Sequence, residues 1–416
     1  MSAMETHFGP EFFAGNRQKL RTLFAGTAPI VLTANGLLQS SSDSTYPLRQ
    51  DRHFWYLTGV DEADAILVMD KTKEYLILSE EHDHRMRFDS AKPVEEIAKT
   101  SGIAEVLDNK TGWQRLNSRV KKVKHIATVA ASPAYVPFYG FYANPARATL
   151  IEKIKSTNPA IELLDLKQQL IQMRIVKQAV ELEAISSAIA VTEQTLKTFV
   201  KKSWQLGINE REMENELYYQ FRKHGARSLA FDSVVAIGAN TAVIHHMPDS
   251  TILSKSSLLL LDVGAEVDHY ASDLSRLYIV GKPSRRVQQV YTAVSEALEQ
   301  ALSMLKPGVI HQQFEKDMEQ VVGEKLRELG LIKTIDRKSV RKYFPTYTSH
   351  QLGLDAHDTP DYDRPLLTDM VLAVEPGIYI PEEGIGMRIE ENVRITKDGI
   401  ELMSTLPRDL QSLTIK

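Results

Sequence analysis

The strongest constraint on this chain is a pair of wholly apolar runs that each end in an acid. Leu258 to Leu261 run straight into Asp262, and Val371-Leu-Ala-Val374 into Glu375, Pro376 and Gly377. Short apolar runs bounded by turn formers read as strands buried on both faces. An acid placed directly behind such a strand has little room to be merely solvated, and a buried carboxylate needs a partner or a metal.

Asp273 lies on the next strand-like run, Tyr270 to Val280. A turn centred on Val267 and Asp268 pairs residues whose numbers sum to 535, which sets Asp262 opposite Asp273. Like charges facing across a ladder repel, and a hard divalent ion is the simplest remedy. Further on, Thr348-Ser-His350-Gln-Leu-Gly-Leu-Asp-Ala-His357-Asp358 holds two imidazoles seven residues apart. Either alone reads equally well as a satisfied structural histidine. Gly386-Met-Arg388-Ile-Glu390-Glu-Asn392 alternates, so Arg388, Glu390 and Asn392 share one face, with Met387 and Ile389 on the other. Glu391 breaks the apolar row and reads as an exposed bystander.

Asp262, Asp273, His350, Glu375 and Glu390 make a hard-to-borderline donor set, suited to manganese, cobalt or zinc. Two such ions about 3.5–4 Å apart can share a water and bring its pKa towards neutrality for attack on a carbonyl. His82-Asp83-His84 sits in a polar stretch and reads as an exposed loop instead of a second site.

Composition narrows the alternatives. There is no cysteine, which excludes disulfides, thiol nucleophiles, thiolate zinc and iron–sulfur sites. Lys plus Arg number 50 against 54 Asp plus Glu, a formal charge of −4 that gives no basic field for nucleic acid. With 43% hydrophobic and 25% charged residues the chain is of folded, globular type. The opening MSAMETHFGPEF lacks a basic start followed by an apolar stretch, and Leu258 to Leu261 is far short of the ~18 apolar residues of a membrane span. The expectation is a cytoplasmic protein without a membrane partner.

At 416 residues two domains are expected. The first third alternates strand-like runs (Ile30 to Leu32, Ala65 to Met69, Tyr75 to Leu78) with a helix start over Pro93 to Thr100, which is α/β patterning. Pro133, Pro137, Pro145 and Pro159 punctuate the next stretch, so the seam is placed near residue 160, giving domains 1–160 and 161–416. Helices are expected over about 180–199, from an Asn209 and Glu212 capping pair to Gly225, from Val287 to Leu305, and from Phe314 to Leu329. Strands are expected over 231–237, 257–263, 270–280, 370–374 and 385–395.

The ordered set Asp262, Asp273, Ser-His350-Gln-Leu-Gly-Leu-Asp-Ala-His-Asp, Val-Glu375-Pro-Gly and Arg388-Ile-Glu390 resembles the "pita-bread" metallopeptidases, the creatinase and methionine-aminopeptidase superfamily. Ser44-Thr-Tyr-Pro-Leu-Arg-Gln-Asp-Arg-His-Phe-Trp55-Tyr-Leu-Thr-Gly59 is similar to the signature of the N-terminal domain of aminopeptidase P. The resemblance implies an α/β (α+β) protein: an N-terminal creatinase-like α/β domain, then a catalytic domain whose curved antiparallel sheet is flanked by helices. It also implies removal of the N-terminal residue from peptides with proline second, by a hydroxide bridging two divalent metals, manganese first and zinc or cobalt as alternatives. Asp262 would hold one ion, Asp273 and Glu390 both, and His350 and Glu375 the other. Glu375 would also take the proton of the attacking water, His245 and His357 would contact the substrate, and Arg388 would support the site. His246 departs from the Tyr that relatives often carry after the first histidine. By the same analogy the N-terminal domain restricts access and builds a homodimer or homotetramer. A prolidase is the neighbouring reading, and a metal-free peptide-binding module the more distant one.

Overall fold

A computed structural model describes residues 6–130, 135–202, 206–359 and 361–415; Pro133 and the first five residues of the opening segment lie outside the described residues. The chain forms two compact bodies, one over Phe8–Met173, the other from Arg174 onward together with His7.

The first body is built on a six-stranded mixed sheet. Ile30–Thr33 pairs antiparallel with Ile66–Met69 and parallel with His125–Thr128, and Glu162–Asp165 adds a parallel strand beside the latter. That last strand lies beyond Pro159, so the body extends past the punctuation that marked the expected seam. Val31, Ile66, Val68, Ile77 and Ile126 pack with Leu116, Leu150 and Ile154 from the covering helices. Each such side chain, fully buried, contributes about 1.5–3 kcal/mol. The signature segment ends in the helix Arg52–Thr58, started by the Asp51 side chain on the Phe54 amide and stopped by Gly59 at φ 68°. His82-Asp83-His84 is not a loop: it opens the helix His82–Phe88, with His82 buried against the Lys92 carbonyl at 3.0 Å.

The second body holds two four-stranded sheets. One runs Val234–Ile237, Leu258–Val263, Leu274–Val280, Thr414–Ile415; the other runs Ser349–Gln351, Val371–Val374, Glu391–Ile395, Ile400–Leu402. Within them the neighbours are antiparallel, apart from the short Thr414–Ile415 edge. The helices Ala179–Lys202, Glu210–Lys223, Arg285–Met304 and His311–Glu328 flank these sheets, giving the mixed α/β and pita-bread arrangement. Asn209 starts the second of these helices with the expected reciprocal pair: its side chain accepts from the Glu212 amide at 3.0 Å, and Glu212 accepts from the Asn209 amide at 2.9 Å. Among the described residues no helix is long and apolar enough to cross a membrane.

Two strand expectations are corrected. The hairpin turns at Asp268 and His269, both left-handed at φ 46° and 68°, where a turn at Val267 and Asp268 was expected. Consecutive left-handed residues suit the right-handed twist of the flanking strands, and the shift moves Asp262 opposite Ser275 instead of Asp273. In the same register Asp273 falls opposite Gly264, where a Cβ would run into the Ser272 carbonyl oxygen. The two acids remain on one face as diagonal neighbours, because both moves are by two residues. The run 385–395 is not one strand: Ile385–Arg388 pairs with Gly377–Ile380, and Glu391–Ile395 with Val371–Val374. The break falls at Ile389 and Glu390.

Candidate metal centre

The two buried apolar strands deliver their terminal acids to one place. Asp262 is the last residue but one of the Leu258–Val263 strand, Asp273 precedes Leu274–Val280, and His350 is the middle residue of Ser349–Gln351. Glu375 follows Val371–Val374, its amide donating to the Thr348 carbonyl at 2.7 Å. Glu390 sits in the break between strands, its amide on the Ser275 carbonyl at 3.2 Å. His350 Nε2 lies 3.6 Å from both Asp273 Oδ2 and Glu375 Oε1. Asp273, His350 and Glu390 offer donor atoms within 4.8 Å of one another, as do His350, His357 and Glu375.

Charge is badly unbalanced there. Asp262, Asp273, Glu375 and Glu390 gather around the guanidinium of Arg388. Burial, then the charges of Glu390, Asp262 and Glu375, push the Asp273 carboxyl well up. Burial and Glu390 do the same to Glu375. Burial and Asp262 lift Glu390 to about 8. Burial and then His357 hold His350 well below the ordinary imidazole range. Burial opposes the charge on Arg388, but Tyr379 and the acids keep it firmly protonated.

The residues fit divalent ions. Asp262 Oδ1 is buried with no hydrogen-bond partner among the described residues, an acceptor left for a ligand. Its other oxygen is held by Arg388, which also donates Nε–H to Ser275 Oγ at 2.8 Å and meets Tyr379 Oη. Ser275 donates its own hydroxyl proton to Glu390 Oε2 at 2.8 Å. Asn392 brackets the Asp273 backbone, accepting its N–H at 3.1 Å and donating to its carbonyl at 2.6 Å. Such partners orient ligands and tune what they bind. Ser275 escaped the sequence reading, though it lies two residues beyond Asp273 and so on the same face of its strand.

The ring of His357 meets that of His350 at a tilt of 35°, with centroids 4.0 Å apart. His357 is exposed at the surface of the site, yet packing about its ring, then His245 nearby, lower its pKa. Its neighbour Asp358 is fully enclosed by Arg174 and by Lys177 Nζ at 2.9 Å. Gly353 is required there, because a Cβ would run into Asp358 Oδ2. Glu391 is not an exposed bystander: it is 1% exposed and paired with Arg276 from the Leu274–Val280 strand. Below His350, Glu315 of the helix His311–Glu328 accepts the Thr348 amide at 2.7 Å and the Ser349 hydroxyl at 2.6 Å. The two oxygens of this side chain thereby fix the strand that bears His350.

Comparison with known proteins agrees with this geometry. Residues 183–397 match the model of metallopeptidase family M24, which spans more than half of the chain. The chain belongs to metallopeptidase family M24. Residues 13–128 match the aminopeptidase P N-terminal domain. The Xaa-Pro aminopeptidase of Escherichia coli strain K12 is 27% identical, covering 97% of each chain. Human Xaa-Pro aminopeptidase 3 is 29% identical, over 96% of this chain and 84% of its own length. The solved structure of proline aminopeptidase P II from Yersinia pestis superposes with a TM-score of 0.84 at 27% identity, covering 98% of both chains. This M24 member is a metal-dependent aminopeptidase, a hydrolase that acts on peptides.

Proposed function

We propose that the enzyme releases the N-terminal residue from peptides whose second residue is proline, with manganese as its metal. An Xaa-Pro bond has no N–H, so peptidases that clamp an extended backbone handle it poorly and a dedicated site is needed. The observation that carries the reading is the convergence of four buried donors and the half-buried Glu375, in which the acids outnumber the guanidinium of Arg388 and Asp262 Oδ1 lacks a partner among the described residues. The aminopeptidase P N-terminal domain match favours this reading over a prolidase.

Asp262 would hold one ion, Asp273 and Glu390 both, and His350 and Glu375 the other. Two divalent ions bound there supply Lewis acidity and bring a water's pKa towards neutrality. Glu375, whose Oε1 lies 3.6 Å from His350 Nε2, would take the proton of the attacking water. His357 and His245 donate hydrogen bonds to the oxygen that gains charge, which a neutral imidazole does without first being protonated. Arg388 fixes Asp262 and, through Ser275, Glu390.

The exposed aromatics Phe138, Tyr139, Phe141 and Tyr142 support self-association into a homodimer or homotetramer, which light scattering measures. The proposed address is the cytoplasm, which cell fractionation tests. A manganese-loaded preparation given a tripeptide beginning Xaa-Pro should liberate the first amino acid. An intact tripeptide beside rapid cleavage of Xaa-Pro dipeptides would make the enzyme a prolidase.

A further inference from the structure

The loop that carries His245 leaves the Val234–Ile237 strand and comes back to the helix Glu210–Lys223 through a bridge between Ile252 and Asn209. One carboxylate outside the ligand set spans that loop. Glu210, the first residue of the helix, is completely buried. Its Oε1 accepts the Ile237 amide at 2.7 Å and Asn240 Nδ2 at 3.0 Å. Its Oε2 accepts the Asp249 amide at 2.9 Å and meets His246 Nε2 at 2.7 Å. The partners thus sit at the start, the first turn, the middle and the end of the loop, and His246 is the residue next to His245.

A carboxylate has about four lone-pair sites, and here each has a donor. Negative charge at a helix N-terminus is itself favoured, and Glu210 is the first residue of its helix. Glu210, His246 and Asp249 lie within 4.8 Å of one another by their donor atoms. An ion at that point would have to displace hydrogen bonds already made, so the cluster reads as a fastening.

We propose that Glu210 is a positioning residue that fastens the 237–249 segment at four points and so presents His245 to the substrate. This rests on the reading of His245 as a substrate contact. Displacing a reacting group by about 1 Å can cost about 10²-fold in rate. Glu210→Gln preserves size but turns an amide donor towards backbone donors.

The test compares metal-loaded wild type, Glu210→Gln, His245→Ala and the double variant on an Xaa-Pro tripeptide, with amide exchange followed across 238–250. Glu210→Gln should lower kcat by about 10–100-fold with metal content unchanged, and should speed exchange in the loop. In the His245→Ala background the same substitution should cost almost nothing more. His246→Phe should imitate Glu210→Gln and also serves if the latter fails to fold, whereas His246→Gln, which keeps a donor, should restore most of the rate. Additive losses, or unchanged exchange in the loop, would overturn the proposal. So would an extra equivalent of Zn²⁺ bound by the manganese-loaded wild type and lost in Glu210→Gln, which would make the cluster a third ion site. If His245→Ala alone keeps full turnover, the role of His245 as a substrate contact fails, and loop exchange in Glu210→Gln then decides the fastening by itself.

Discussion

Two of the buried ionic groups among the described residues of the second body are opposites. Around Asp358 every acid has a cation: Arg174 and Lys177 face Asp358, Asp355 lies 2.9 Å from Arg174, and the charge of Lys177 also acts on the buried Glu181. Burial opposes ionisation of Asp358, yet the two cations prevail and hold its pKa down. Around Asp273, Glu375 and Glu390 the acids exceed the available positive charge, and all three are pushed up. A matched set completes itself and serves structure. An unmatched set, beside an acceptor to which none of the described residues donates, marks the place of a bound cation.

The largest effects should come from the unmatched set. Asp273→Asn or Glu390→Gln should reduce turnover by about 10³-fold or more, with loss of bound metal by elemental analysis, because on the proposed assignment each removes a carboxylate that both ions would share. Wild-type rates in both variants would break the contrast. His357→Ala should cost about 10²–10³-fold in kcat while metal content stays, as for removal of a single donor to a developing oxyanion. Metal loss in that variant would move His357 into the ligand set.

The matched set should respond in stability. Asp358→Asn leaves two buried cations short of a partner and should destabilise the fold by about 3–5 kcal/mol in chemical unfolding, while metal is still bound. A smaller and more telling effect concerns pH. Carboxyls whose folded pKa is raised bind more protons folded than unfolded, so their contribution is full below the ordinary carboxylate range and is lost as pH rises through the folded value, about 8 for Glu390. Metal-free enzyme should therefore lose about 3 °C or more of Tm between pH 5 and pH 8. Bound ions stand in for those protons, so the metal-loaded enzyme should lose less over the same range. Equal slopes for the two forms would blunt the comparison.

Legibility in the sequence divides along the same physical line. Asp262 and Glu375 were legible because four apolar residues in front of each force it inward. Their spacing to Asp273 was not legible, since the register depends on Asp268 and His269 adopting left-handed backbone, which neither residue announces. Glu391 was misread because its partner Arg276 lies 115 positions away. The single strand expected over 385–395 broke at Glu390, the residue that must leave the ladder to reach the acids. Glu210 carried no local signal beyond its place beside a helix cap, and its four partners are assembled only by the tertiary fold.

At Gly264 the chain is defined by an omission. With the opposing carbonyl where a first side-chain carbon would go, even a methyl would act as a doorstop between the two strands, prising Asp262 from Asp273. The gap across which these acids can grip a pair of ions is thus set by a hydrogen atom, and no chemistry at the acids themselves could restore it.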